Sequence, residues 1–166
     1  MNDALLLTLR TVHILAGVFW VGGVFVAGLF ILPAARAVGP AGMPVIQHIM
    51  MRRKLAVYLP ISAVLTVLAG AALYWRDMSL SGGAWRRSPM GMGMTFGAAA
   101  AIVAVILGMG IAAPAAKKLS AAGAPGAAPL SEEERTRLGK RAALGSTASM
   151  AFLLVATVAM AIARYL

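Results

Sequence analysis

Residues 11–32 read TVHILAGVFWVGGVFVAGLFIL, and this stretch decides the fold. Extended back to Leu5, the run is broken only by Arg10 and His13, both near its start. A helix needs about 20 apolar residues to cross the hydrocarbon of a bilayer. Three further runs have that length, from Leu55 to Tyr74, from Met94 to Ala113 and from Ala142 to Ala163. Inside lipid a backbone must satisfy its own polar groups, so each run predicts a helix. The expected fold is all-α and integral to the membrane. It is a single four-transmembrane-helix bundle, with spans over about 5–33, 54–75, 93–114 and 141–165 once the interfacial ends are included.

Composition supports lipid as the solvent. The 166 residues are 61% hydrophobic and 12% charged, whereas a soluble domain has about 45–50% apolar and about 25% charged residues. The net charge of +10 comes from 15 Lys and Arg against five acidic residues. These cations cluster beside the apolar runs with few aromatics among them, which fits helix ends meeting anionic headgroups and argues against nucleic acid. Cysteine is absent, which excludes disulfides, thiolate metal sites and cysteine nucleophiles. Hydrolytic chemistry has no support, because no span holds a carboxylate and no Ser-His-Asp set, phosphate loop or HExxH occurs.

Charge also predicts orientation. The first and third connections hold Arg36, Arg52, Arg53, Lys54, Lys117, Lys118, Arg135, Arg137, Lys140 and Arg141. Arg10, Arg76, Arg86, Arg87 and Arg164 fall on the other side. By the positive-inside rule the richer side is cytoplasmic and both termini lie outside, in a multi-pass membrane protein. Ala35-Arg36-Ala37 has the form of a signal cleavage site. The apolar run before it is longer than the about 7–15 residues of a signal peptide, so it is expected to remain as helix one. Residues 119–130 are rich in Ala, Gly and Pro and predict a flexible linker. Ser131 with Glu134 forms a capping box, so the fourth helix is expected to start near Ser131, with the acidic first turn serving only its N-terminus. Trp75 and Trp85 fall at an interfacial aromatic belt.

Small residues recur at helical spacing. They are Gly17 and Gly28 in helix one, Ser62, Thr66 and Gly70 in helix two, Gly97, Ala101, Ala104, Gly108 and Ala112 in helix three, and Gly145, Ser149 and Ala156 in helix four. Such stripes let membrane helices approach closely, and packing is their expected role.

An ionisable side chain inside a span is costly and marks a candidate site. His13 lies eight residues into helix one, a depth of about 12 Å. Gly17 is one turn deeper on the same face, leaving room for a flat macrocycle beside the imidazole. Arg10 is one turn outward, placed to pair with a haem propionate. These three form a haem b corner, with Met160 or Met94 as the thioether able to complete the iron's ligands. His48, on the opposite side of the membrane, is expected to be interfacial beside Arg52 and Arg53. A second constellation is Met90-Gly91-Met92-Gly93-Met94. Thioethers suit copper(I), and Met90, Met92 and Met94 with His13 make the alternative metal site.

Arg10-Thr11-Val12-His13-Ile14-Leu15, followed by Phe19-Trp20-Val21-Gly22-Gly23 and Leu32-Pro33-Ala34, resembles the first helix of the copper-resistance D family. It is also similar to that of the haem-containing protoporphyrinogen IX oxidases, four-helix membrane proteins. Met51-Arg52-Arg53-Lys54-Leu55 with Pro60 and Gly70 resembles the oxidases' second helix. The resemblance covers about the first 75 residues. It implies a haem-binding role for His13, or copper handling at the inner membrane. The oxidases carry a histidine and a lysine near the start of helix three. Met92, Met94 and Phe96 stand there in this chain, which argues against the oxidase reaction.

Three functions follow as expectations. The first is a haem b protein in electron transfer or a small redox reaction. The second is a copper-handling protein, and the third a non-catalytic accessory subunit of a larger membrane complex. A homo-oligomer is compatible with each.

Overall fold

The computed structural model describes residues 2–123 and 128–166. Every regular element among them is helical. Four helices are long and apolar enough to cross a membrane: α1 (Asp3–Ala37), α3 (Leu55–Leu80), α4 (Pro89–Ala122) and α5 (Glu132–Ala163). The short α2 (Gly42–Gln47) lies between α1 and α3. At about 1.5 Å per residue, α1, α4 and α5 are each about 50 Å long, against about 30 Å of hydrocarbon. The overhang of α4 reaches Ala122, so helix occupies the start of the stretch expected to be linker. Residues 124–127 of that stretch lie outside the described residues.

Three prolines, Pro33, Pro60 and Pro114, lie inside the long helices without ending them. Proline lacks an N–H, and its ring crowds the carbonyl four residues back. Just before Pro33 the Leu32 N–H reaches back five residues to the Ala27 carbonyl, and just before Pro114 the Ala113 N–H does the same to Gly108. A single wide turn of this kind absorbs the misfit.

Consecutive long helices pair as two hairpins, α1 with α3 and α4 with α5, joined along a seam where α1 meets α5 and α3 meets α4. At the seam each helix contributes one buried residue: Trp20, Ala63, Ala104 and Leu153. Val21, Val24, Phe25 and Val105 pack around them. Leu153, only 1% exposed, is the one large side chain fully enclosed among the described residues. Glycines elsewhere receive the side chains of the facing helix. Leu59 lies over Gly23, Met150 over Gly28, Met160 over Gly97 and Ser149 over Gly108. Lipid gives helices no hydrophobic reason to associate, so this close fit of side chain to backbone supplies the attraction. The small-residue stripes thus act mainly as packing surfaces.

One hydrogen bond stitches the second hairpin. The buried Ser149 hydroxyl donates to the Ala104 carbonyl at 2.8 Å. Interhelical bonds of this type contribute about 0.6 kcal/mol on average in membrane proteins. Ser149→Ala is therefore expected to lower stability by about that amount, measured by reversible unfolding in mixed micelles. A loss several times larger would show that the site does more than join α4 to α5.

The helix ends are set by local chemistry. Ser88 caps α4 by accepting from the Gly91 N–H at 3.1 Å, and Ser131 caps α5 by accepting from the Glu134 N–H at 3.1 Å. Gly82 and Gly83, both at positive φ, turn the chain from α3 towards α4. Lys54 starts α3 from a left-handed conformation with φ 58°, and its carbonyl accepts from the N–H groups of Val57 and Tyr58.

Contacts along the bundle sort its ends. His13 lies against Gly70, and Gly93 against Ala163 and Leu166. Tyr74 bonds Thr95. The two termini and the α3–α4 connection therefore share one end. The α1–α3 and α4–α5 connections, with ten of the 15 basic residues, share the other.

Candidate functional site

His13 sits in the groove between α1 and α3. Its half-buried imidazole presents Nδ1 to the Thr66 carbonyl at 2.8 Å. A carbonyl can only accept, so Nδ1 carries the proton and Nε2 is left with the lone pair. Nε2 has no hydrogen-bond partner among the described residues and is not sealed from the surface. The ring edge rests on Gly70, where an added Cβ would come within 2.8 Å of Cε1 and 2.9 Å of Nδ1. Thr66 keeps its hydroxyl occupied within α3, donating to the Ser62 carbonyl at 2.7 Å. The Ser62–Thr66–Gly70 stripe therefore does two things: it lets α1 approach, and it seats and orients the histidine. The sequence pattern carried the first meaning only. The partner of Nδ1 is a backbone atom, which no residue identity announces.

The other expected members of the corner are placed differently. The face of Gly17 meets the Thr66 methyl, 3.5 Å from where a Cβ would be. The room expected there for a macrocycle is occupied by α3. Arg10 is exposed one turn outward and makes no ion pair with any described residue. Met160 is seven residues beyond Leu153, as His13 is seven before Trp20. Because Trp20 and Leu153 share the central cluster and α1 runs against α5, the two side chains lie at similar depth. Yet the Met160 side chain packs over Gly97, between α4 and α5. Met94 is one turn outward from Gly97 on α4 and is half-buried. The structure thus places His13 in one hairpin and both candidate thioethers in the other.

The methionine run is corrected in a similar way. It was expected to gather Met90, Met92 and Met94 with His13 around copper(I), but α4 begins at Pro89 and the run is regular helix. At about 100° per residue, Met90 and Met94 share a face while Met92 projects about 160° away. The helix therefore separates the thioethers, and His13 belongs to the other hairpin. Among the described residues no group of three or more His, Asp or Glu side chains gathers to hold a metal. His48 lies at the basic end, far along the bundle from His13, and its carbonyl accepts from the Arg53 N–H at 2.9 Å.

One further polar cluster escaped sequence reading. The Thr95 hydroxyl donates to the Gly91 carbonyl at 2.7 Å, which makes the Tyr74 hydroxyl the donor to Thr95 at 2.8 Å. The Tyr74 ring meets Trp85 edge to face, with centroids 5.2 Å apart. This cluster ties α3 to α4 at the end that carries the termini. Its signal, a tyrosine and a threonine 21 residues apart, is too common to be read without the fold.

No protein-family model matches the chain, and neither does any curated protein or solved structure.

Proposed function

We propose that this chain is a haem b protein of a bacterial inner membrane, serving electron transfer or a small redox reaction, with His13 as an axial ligand through Nε2. The observation that carries the reading is the hydrogen bond from Nδ1 to the Thr66 carbonyl. Histidines that bind metals commonly donate their other ring nitrogen to a carbonyl or carboxylate, which fixes the tautomer and aims the free lone pair. His13 has that arrangement and an accessible Nε2 at membrane depth. Arg10, unpaired among the described residues, is the side chain that would face a propionate. When bound, the haem would supply one-electron redox chemistry.

The fit is to a group held from one side. With Gly17 covered by Thr66, a macrocycle enclosed between α1 and α3 finds no room. Met160 is held on Gly97, so the reading does not lean on it for the second axial position. The distribution of Lys and Arg supports a cytoplasmic basic end, with His13 in the periplasmic half.

The direct test is a reduced-minus-oxidised absorbance spectrum of protein purified from membranes. Soret and alpha bands in stoichiometric amount are expected. If they are absent, titration of copper(I) into the purified protein decides the alternative, with Met90, Met92 and Met94 changed to Leu as its control. Failure of both leaves packing within a larger membrane complex as the function and removes the haem reading.

A further inference from the structure

Past its apolar stretch the α4–α5 hairpin does not fray. Its two helices stay packed, with Ala115 3% and Leu138 6% exposed and Gly145 set against Ala112. The result is a short two-helix stalk at the basic end of the bundle. Its charges are ordered along its length. Lys117, Lys118, Lys140 and Arg141 lie nearest the apolar segment, followed by Arg137 and Arg135, and all six are exposed. The three acids, Glu132, Glu133 and Glu134, occupy the first turn of α5, farthest from the membrane. Among the described residues the one ion pair here is Arg137 with Glu134, at 3.9 Å and open to solvent. On the other hairpin the exposed Arg52, Arg53 and Lys54 sit at the start of α3, at the same end.

We propose that this collar is a binding surface for anionic phospholipid headgroups. The order of the charges selects the partner. A nucleic acid or an acidic protein docking on the stalk from solution would meet the glutamates first. A lipid headgroup meets the lysines and arginines first. Lys140 and Arg141 stand where the apolar run ends, and Arg137 is one turn further. That is within the roughly 8 Å over which charges at physiological salt still interact. Unpaired cations near an anionic leaflet each add to the attraction. Because the stalk is packed, it holds its four inner cations as a fixed group. The surface lies at the opposite end from His13, and the proposal does not depend on the haem reading.

The full-length protein reconstituted in phosphatidylcholine vesicles with increasing phosphatidylglycerol provides the test. The readouts are the phosphatidylglycerol retained after gentle extraction, by native mass spectrometry, and the melting temperature. The wild type is expected to retain phosphatidylglycerol over phosphatidylcholine, to melt higher as its fraction rises, and to lose both effects in high salt. With Lys117, Lys118, Lys140 and Arg141 all changed to Gln, the preference should fall by at least about tenfold. The melting temperature in pure phosphatidylcholine should stay unchanged, showing an intact fold. Arg86→Gln with Arg87→Gln, at the other end, should leave the preference intact. Should the fourfold variant fail to fold, Lys117→Gln with Lys118→Gln is expected to give a partial loss. Undiminished preference in the folded collar variants, equal loss in the Arg86 and Arg87 variant, or no preference in the wild type would each overturn the proposal.

Discussion

Protein carrying His13→Ala is expected to show no haem difference spectrum while keeping its helical content and nearly all its stability. The two halves of this expectation have separate causes. The side chain removes one interhelical hydrogen bond, from Nδ1 to the Thr66 carbonyl, a contribution of about 0.6 kcal/mol in membrane proteins. The Thr66 carbonyl is not orphaned, because α3 is continuous there and the Gly70 N–H still reaches it within the helix. The fold should therefore survive, and the lost absorbance can be assigned to the lost ligand. Gly70→Val provides the complementary variant. Its Cβ would come within 2.8 Å of Cε1, and the imidazole cannot step aside without giving up its bond to Thr66. Haem content should fall, or the bands shift, although His13 is still present. Intact spectra in both proteins would remove His13 as ligand. An intact spectrum in Gly70→Val alone would mean that the groove is looser than the structure shows.

The helices were legible because hydropathy is a one-dimensional signal. Residues 11–32 announce a span whatever surrounds them, and so do the other three runs. Ser131 and Glu134 likewise mark a helix start through contacts only three residues apart. What sequence could not supply is which face meets which. Gly17 reads as free space until α3 places Thr66 against it. Met160 reads as a ligand at the right depth until α4 presents Gly97 beneath it. Met90, Met92 and Met94 look like a cluster in a linear string, and the helix that starts at Pro89 separates them. His13 stands out in the sequence because an imidazole is ionisable and lies within an apolar run. Its actual partner, a carbonyl on another helix, depends on tertiary packing alone.

Leu153→Ala is the substitution expected to cost most stability. In soluble cores, Leu→Ala costs about 2–5 kcal/mol, part of it from transfer out of water and part from the cavity left behind. In lipid the transfer part shrinks, since acyl chains are as apolar as leucine. The cavity part remains. Leu153 is 1% exposed and clusters with Trp20, Ala63 and Ala104, one residue from each other spanning helix. The two alanines have almost no side chain able to move into the gap, and Trp20 is a rigid ring that already fills its place. At about 24 cal/mol per Å³ of unfilled volume, the loss of three carbon groups amounts to about 2 kcal/mol. Leu154, the next residue, is 55% exposed and faces outward, so Leu154→Ala should change stability by no more than about 0.5 kcal/mol. Reversible unfolding of both variants in the same mixed micelles decides the point. A clear gap between them is what the seam between the hairpins requires, because the two residues differ by one step of about 100° around α5. Equal losses would mean that α5 is rotated from the position in which Leu153 closes the centre of the bundle.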